Sequence, residues 1–194
     1  MKLYLASQSP RRRELLAYIW PDFELVEAQI DERVLDNESA HDYVCRLAMQ
    51  KAQQGWQNLL SANDSCWTLG SDTAVVYQQH ILGKPVDLED CRRTLTMLSG
   101  QTHQVMTAIS LFNGTEQFVD CVTTLVQFRC IDNQEIDDYW HSGEPRDKAG
   151  SYGIQGIGGK FVEQIHGSYS AVVGLPLCET RALLSRAQQQ VGEK

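Results

Sequence analysis

The densest gathering of reactive groups lies at the start of the chain, in Leu3-Tyr4-Leu5-Ala6-Ser7-Gln8-Ser9-Pro10-Arg11-Arg12-Arg13. Ser9 reads as a helix N-cap and Pro10 as the first helical residue. The unsatisfied N–H groups of a helix start point out of that end, beside the positive pole of the macrodipole. Three arginines follow on the same turn. An arginine run alone reads as a solvated basic face. Here an apolar strand and a Ser-x-Ser-Pro turn precede it, and strand ends are where open α/β sheets hold ligands. The combination points to a local phosphate site.

A carboxylate is the second candidate. Trp67-Thr68-Leu69-Gly70-Ser71-Asp72-Thr73-Ala74-Val75-Val76-Tyr77 reads as the central strand, with Asp72 in its middle. Burying a carboxylate is costly unless it is paired or hydrogen-bonded, so a residue that breaks the pattern there is a site candidate. Gly70 allows a bulge or the close approach of another backbone. The cluster Ile30-Asp31-Glu32-Arg33 reads equally as a solvated loop or as a carboxylate holding a metal or water, with Arg33 balancing charge. Lys51 lies one residue from the apolar stripe of its helix and either snorkels to solvent or reaches into a cleft. Lys84 stands between Gly83 and Pro85 on a constrained segment. Ser151–Gly159 holds four glycines, implying tight backbone and room for a ligand, but its spacing matches neither the P-loop nor the Rossmann fingerprint. His103 reads as structural.

The elements that must carry these residues follow from pattern and punctuation. After the first helix, Pro21 stops the pattern near Trp20, and Phe23–Ala28 alternates as a strand. Ser39 caps a helix from Ala40 to about Leu60, with Tyr43, Val44, Leu47, Ala48 and Ala52 on its buried face. Residues 61–65 form a loop, and 78–80 a turn. Asp87 caps a helix through Leu98, ended by Ser99-Gly100. Two long strands, about 102–112 and 116–129, flank the hairpin signal Asn113-Gly114. Asp132 caps a helix to about His141, and 144–150 is a charged loop. Phe161–Ile165 is a strand, 166–169 a turn, and Leu175-Pro176 opens a last helix to about Gln189, beyond which the polar end is expected to fray.

Composition bounds the function. The 194 residues suffice for one sizeable domain, with no linker, repeat or low-complexity tract. A net charge of -8 argues against a general nucleic-acid binder, so any phosphate site is local. No apolar run reaches the ~20 residues of a membrane span, and no basic-then-apolar signal segment precedes the first strand. A cytoplasmic protein is expected. The six cysteines are scattered without a C-x-x-C pair, which reads as thiols in a reducing compartment and not as zinc ligands or disulfides.

Taken together, the motifs resemble those of the Maf nucleoside triphosphate pyrophosphatases. The resemblance rests on Ser7-Gln8-Ser9-Pro10-Arg11-Arg12, Ile30-Asp31-Glu32, Arg46-Leu47-Ala48 with Lys51-Ala52, Gly70-Ser71-Asp72-Thr73, Gly83-Lys84-Pro85, Leu98-Ser99-Gly100 and Asp147-Lys148-Ala149-Gly150 through Gly156, in that order along nearly the whole chain. It implies an elongated α/β domain of two lobes, a bent mixed sheet flanked by helices and a nucleotide cleft between the lobes. It implies a homodimer, a divalent cofactor (Mg²⁺ or Mn²⁺), and hydrolysis of a nucleotide between its α- and β-phosphates. By position, Asp72 is the implied proton acceptor, Ser7, Arg12, Lys51 and Lys84 the triphosphate clamp, and Glu32 a metal or water ligand. Arg11, Thr73 and Gln155 resemble the branch acting on dTTP and UTP, and an amide such as Gln155 suits a pyrimidine edge. The sister branch acting on 7-methyl-GTP carries Trp, Gln and Glu at those places. One departure is Gly-Ser-Asp at 70–72, where the dTTP/UTP branch more often has Gly-Ala-Asp. A nucleotide-binding regulator of septum formation, without turnover, is the alternative of another class.

Overall fold

Buried Leu3 and Leu5 alternate with Lys2 and Tyr4 and fix Lys2–Ala6 as a strand, β1. Ser7 ends it. Ser9 then caps α1 (Pro10–Ile19) by accepting from the Arg12 amide, and α1 buries Leu15 and Leu16. The structure, a computed structural model, describes residues 1–59 and 66–192. The chain returns as β2 (Phe23–Leu25), parallel to β1, with Leu3 opposite Phe23. β2 is shorter than the alternation over Phe23–Ala28 suggests. Its neighbour β1 ends at Ala6, so the ladder stops once the Val26 amide has reached the Leu5 carbonyl, at 3.1 Å.

Ser39 caps α2 (Ala40–Gln57), whose buried face is Val44, Leu47, Ala48, Ala52 and Gly55. Tyr43, expected on that face, is half-buried. The helix stops at Asn58; Leu60 and the loop expected over 61–65 lie outside the described residues. β3 (Cys66–Tyr77) runs parallel to β1, pairing Ala6 with Gly70. Small residues let α2 lie directly on β3: a Cβ on Gly70 would stand 2.2 Å from the Ala48 carbonyl oxygen and 2.6 Å from the Ala52 nitrogen. β4 (His80–Leu82) folds back antiparallel on β3 through Gln78-Gln79, whose φ angles are 47° and 67°. The turn expected over 78–80 lies here, with His80 already in the strand, and the three residues of β4 are too few to show an alternation of their own.

Asp87 caps α3 (Leu88–Leu98). β5 (Thr102–Phe112) and β6 (Gln117–Phe128) are joined by a turn in which Asn113 Oδ1 accepts from the amides of Thr115 and Glu116. Asp132 caps α4 (Asn133–His141). Short 3₁₀ turns at Glu144–Asp147, Ala149–Ser151 and Ile157–Phe161 occupy much of the charged and glycine-rich stretches. β7 (Val162–His166) pairs antiparallel with β6. A short helix, α5 (Tyr169–Val173), begins at the last residue of the expected turn, and α6 (Leu177–Gly192) is the last element.

The result is a mixed α/β fold: a seven-stranded sheet of order β2-β1-β3-β5-β6-β7, with β4 on β3 and helices against it. The chain forms two compact units, one from Met1–Asp72, Thr107–Val122 and Gly174–Lys194, the other from Thr73–Met106 and Thr123–Val173. In the first, Trp67 is fully buried and stacks on Phe118 at 5.4 Å. In the second, Leu95, Leu98, Val126, Phe128 and Phe161 form the core. There His103 Nε2 meets the Tyr152 hydroxyl at 2.8 Å, and burial pushes the imidazole down to about 4, so it is neutral and structural. Among the described residues no helix is long and apolar enough to cross a membrane.

Glu144 organises the glycine-rich stretch. Its carboxylate accepts from the Ile157 amide at 2.7 Å, the Gly158 amide at 3.0 Å and the Tyr139 hydroxyl at 2.8 Å. Partial burial raises its pKa, but the bonds from Gly158, Ile157 and Tyr139 outweigh that and hold it below the ordinary value.

Three expectations follow from this packing and hydrogen bonding. Gly70→Ala forces α2 off β3 and costs about 1–3 kcal/mol or more, read as a lower urea midpoint. Gly83→Ala, where an added Cβ meets nothing within 4 Å, leaves the midpoint nearly unchanged. Glu144→Gln strands an amide donor at a cost of about 1–3 kcal/mol, so hydrogen exchange at Ile157 and Gly158 accelerates. Because the folded pKa of Glu144 is depressed, its contribution is present above the unfolded value of about 4.3 and is lost as pH falls through the folded value.

Candidate active site

Lys51 joins the pieces in the first unit. α2 aims it at β3, where Nζ donates to Asp72 Oδ1 at 2.6 Å and pairs with Glu32 Oε1 at 2.7 Å. The lysine side chain is 12% exposed, so it reaches inward and does not snorkel. Asp72 is 11% exposed and Glu32 54%, which makes one side of the ammonium dry and the other wet. A buried carboxylate without a partner would be costly; here the same cation serves two.

Of the two acids in the 30–33 cluster, only Glu32 faces Lys51. Asp31 is exposed and clasped by Arg33, through Nη2 at 2.6 Å and Nε at 2.8 Å, and that guanidinium holds its carboxyl down to about 2. Arg46 anchors the loop to α2 by bonds to Glu38, at 2.6 and 2.8 Å, and to the Arg33 carbonyl at 3.0 Å. Tyr43 adds a member that the apolar-stripe reading obscured. Its hydroxyl donates to the Glu32 carbonyl at 3.0 Å, and partial burial with the charges of Asp72 and Glu32 pushes the phenol up to about 12. The available signal was its place two turns before Lys51 on the same broad helix face.

The Ser-x-Ser-Pro turn is built as a helix entrance. Ser7 Oγ accepts from the Ser9 amide at 3.2 Å and Ser9 Oγ from the Arg12 amide at 3.4 Å. Arg11 and Arg12 are half-buried and Arg13 is exposed. Arg12 Nε donates to the Gly174 carbonyl at 2.9 Å, and the buried Ser71 hydroxyl donates to the same oxygen at 3.1 Å. One carbonyl thus ties α1 to the residue beside Asp72, and gives the serine at 71 a structural partner. No sequence pattern marked Gly174, which has φ +127°. Desolvation lowers the Arg12 pKa, the Asp72 charge opposes this, Arg11 adds to it and Glu32 again opposes; a guanidinium remains charged throughout. Arg12, Lys51, Asp72, Glu32 and Tyr43 therefore belong to one neighbourhood of opposed charges, and Ser7 stands in the turn that leads to Arg12.

Thr73, Lys84 and Gln155 belong to the second unit. Thr73 is half-buried in β3, directly after Asp72. Lys84 is exposed beyond β4, and the preceding Gly83 carbonyl accepts from the Gly150 amide at 3.0 Å. Gln155 is exposed on the stretch that Glu144 holds. A groove lined by Glu89, Arg92, Arg93 and Asp137 also lies in this unit, but Arg92 is bonded to Asp137 at 2.6 Å and Arg93 is paired with Asp90, so its charges are already matched.

The donor set suits a hard divalent cation. Glu32 and Asp72 offer only carboxylate oxygens, the donors that Mg²⁺ and Mn²⁺ prefer, and Mg²⁺ is usually held by one or two carboxylates plus substrate phosphates. Each carboxylate has about four lone-pair positions, so it can serve a cation and Lys51 together.

Comparison with known proteins identifies the family. The family model described as "Maf-like protein" matches residues 2–187. A "dTTP/UTP pyrophosphatase" of Pseudoalteromonas atlantica is 54% identical over 184 residues, covering 95% of this chain and 96% of that protein. Proteins of the same name from Vibrio parahaemolyticus (53%, covering 95% of this chain and 96% of that protein) and Shewanella oneidensis (54%, covering 96% and 98%) are similarly close. Among solved structures, the Staphylococcus aureus Ham1 protein aligns with a TM-score of 0.47 at 13% identity, over 66% of this chain and 72% of its own, too distant a likeness to carry an argument. With the family model and these relatives in agreement over nearly the whole length, the chain belongs to the Maf-like protein family.

Proposed function

We propose that the protein is a nucleoside triphosphate pyrophosphatase that converts dTTP and UTP to the monophosphate and pyrophosphate. The observation that carries this reading is the Lys51 ammonium shared by Asp72 and Glu32, in the same unit as the Ser7–Arg12 helix entrance. About half of the residues are identical in relatives bearing that name.

In this reading Asp72 takes the proton from a water that attacks the α-phosphorus. The bridging P–O bond to the β-phosphate breaks, and its electron pair leaves on pyrophosphate. Lys51 fixes the direction of the Asp72 carboxylate. Ser7, Arg12, Lys51 and Lys84 bind the triphosphate, and pre-placed cations stabilise the charge that grows on the leaving group. Arg11 and Thr73 act in substrate selection. Gln155 pairs with the pyrimidine edge through a carbonyl and an N–H, which rejects a base unable to satisfy both. A divalent ion, held by Glu32 with Asp72, would neutralise phosphate charge and so assist departure. The wet side of Lys51 at Glu32 leaves access for such an ion. A homodimer, implied by the family resemblance, and a cytoplasmic location, read from the scattered cysteines, complete the reading; light scattering on the purified chain reads the dimer directly.

The test is pyrophosphate release by the purified protein with Mg²⁺ or Mn²⁺ across dTTP, UTP, CTP, ATP, GTP and 7-methyl-GTP. The expected outcome is fastest turnover of dTTP and UTP. Activity confined to 7-methyl-GTP would overturn the base assignment, and binding without turnover would favour the regulator. Gln155→Ala should lower kcat/KM for UTP by roughly 10- to 100-fold, the cost of one or two lost hydrogen bonds at a desolvated edge. Lys84→Ala should chiefly raise KM.

A further inference from the structure

His41 and Cys45 are one helical turn apart on α2, and Cys121 on β6 faces them within the first unit. Their ligand atoms, a ring nitrogen and two sulfurs, all lie within 4.8 Å of one another. His41 Nε2 is 3.9 Å from Cys45 Sγ, while His41 Nδ1 meets Asp42 Oδ1 at 3.3 Å. A carboxylate on one ring nitrogen, with the other turned toward a thiol, is the arrangement that orients a metal-binding histidine. The imidazole is exposed and both thiols are half-buried, so an ion has a route in and a water has room beside it. Sequence spacing hides this group, because Cys121 lies far along the chain from His41 and Cys45 and no C-x-x-C pair is present.

We propose that His41, Cys45 and Cys121 form a binding site for a borderline-soft divalent cation, Zn²⁺ above all, with water as the fourth ligand. Zinc takes sulfur at about 2.3 Å and nitrogen at about 2.0 Å in a tetrahedron, which spaces those ligand atoms about 3.5–3.8 Å apart. The 3.9 Å between Nε2 and Cys45 Sγ is already close to that, and small rotations of side chains close the rest. The site differs in chemistry from the all-oxygen pair Glu32 and Asp72, which favours hard ions. Both thiols bind as thiolates, releasing their protons to solvent as the metal enters. An ion there would clamp the first turns of α2 to β6.

The experiment is titration of the reduced, full-length protein with Co²⁺ as a spectroscopic probe, followed by displacement with Zn²⁺. One equivalent of Co²⁺ should give tetrahedral visible bands with a thiolate-to-cobalt charge-transfer band, both removed by Zn²⁺. Cys45→Ser and Cys121→Ser should each weaken the charge-transfer band and the affinity, and Asp42→Asn should weaken binding by about 10- to 100-fold. Cys130→Ser should bind as the parent does. Circular dichroism checks the fold of each variant, and the parent spectrum is decisive without them. Absence of a thiolate band, a band that survives the double change of Cys45 and Cys121 to Ser, or formation of a Cys45–Cys121 disulfide with no Co²⁺ uptake by the reduced chain would each overturn the site.

Discussion

The interaction on which the rest depends is the sharing of one ammonium between two carboxylates. Asp72 lies in the middle of a strand whose other residues are mostly apolar and buried, a place where a lone charge would be strongly unfavourable. Lys51 compensates it, and Glu32 meets the same nitrogen from the wetter side. For the lysine to reach, α2 must lie almost in contact with the β3 backbone. That explains the small residues Ala48 and Ala52 on the helix and the absence of any side chain at Gly70. The glycine, the alanine stripe and the lysine are thus one device.

A second layer holds the approach to that centre. Arg46 pins the loop behind Glu32 to α2, Tyr43 bonds the Glu32 backbone, and the Gly174 carbonyl gathers Arg12 and Ser71. None of these needs to meet substrate to matter, because each fixes a group that does in the proposed reaction. The oxygen-only character of the centre also separates it from the nitrogen-and-sulfur group formed by His41, Cys45 and Cys121. The hard donors, before α2 and on β3, and the softer group, on α2 and β6, would therefore sort different metals.

Much of this was legible from local chemistry. Ser9, Ser39, Asp87 and Asp132 each announce a helix start, and each side chain accepts the expected amide bond. Asp72 stood out because it violates a strand pattern, and Gly70 because a strand interior rarely favours glycine. What stayed hidden was set by partners far away in the chain. The length of β2 is decided by where β1 ends. The turn at 78–80 is legible, but the strand it leads to, β4, is three residues long and too short to show a pattern. Whether Asp31 or Glu32 meets Lys51 depends on Arg33 claiming the former. The direction of Lys51 itself could be posed as a choice but not resolved, since snorkelling and burial share the same sequence pattern.

The most direct test of this account is a paired measurement on Asp72→Asn: turnover of UTP, and affinity for a UTP analogue with a non-hydrolysable α,β-bridge. If Asp72 is the proton acceptor, turnover falls by about 10²- to 10⁴-fold while affinity stays near that of the parent. Turnover that persists, or a loss of affinity that accounts for the whole loss of activity, would contradict it.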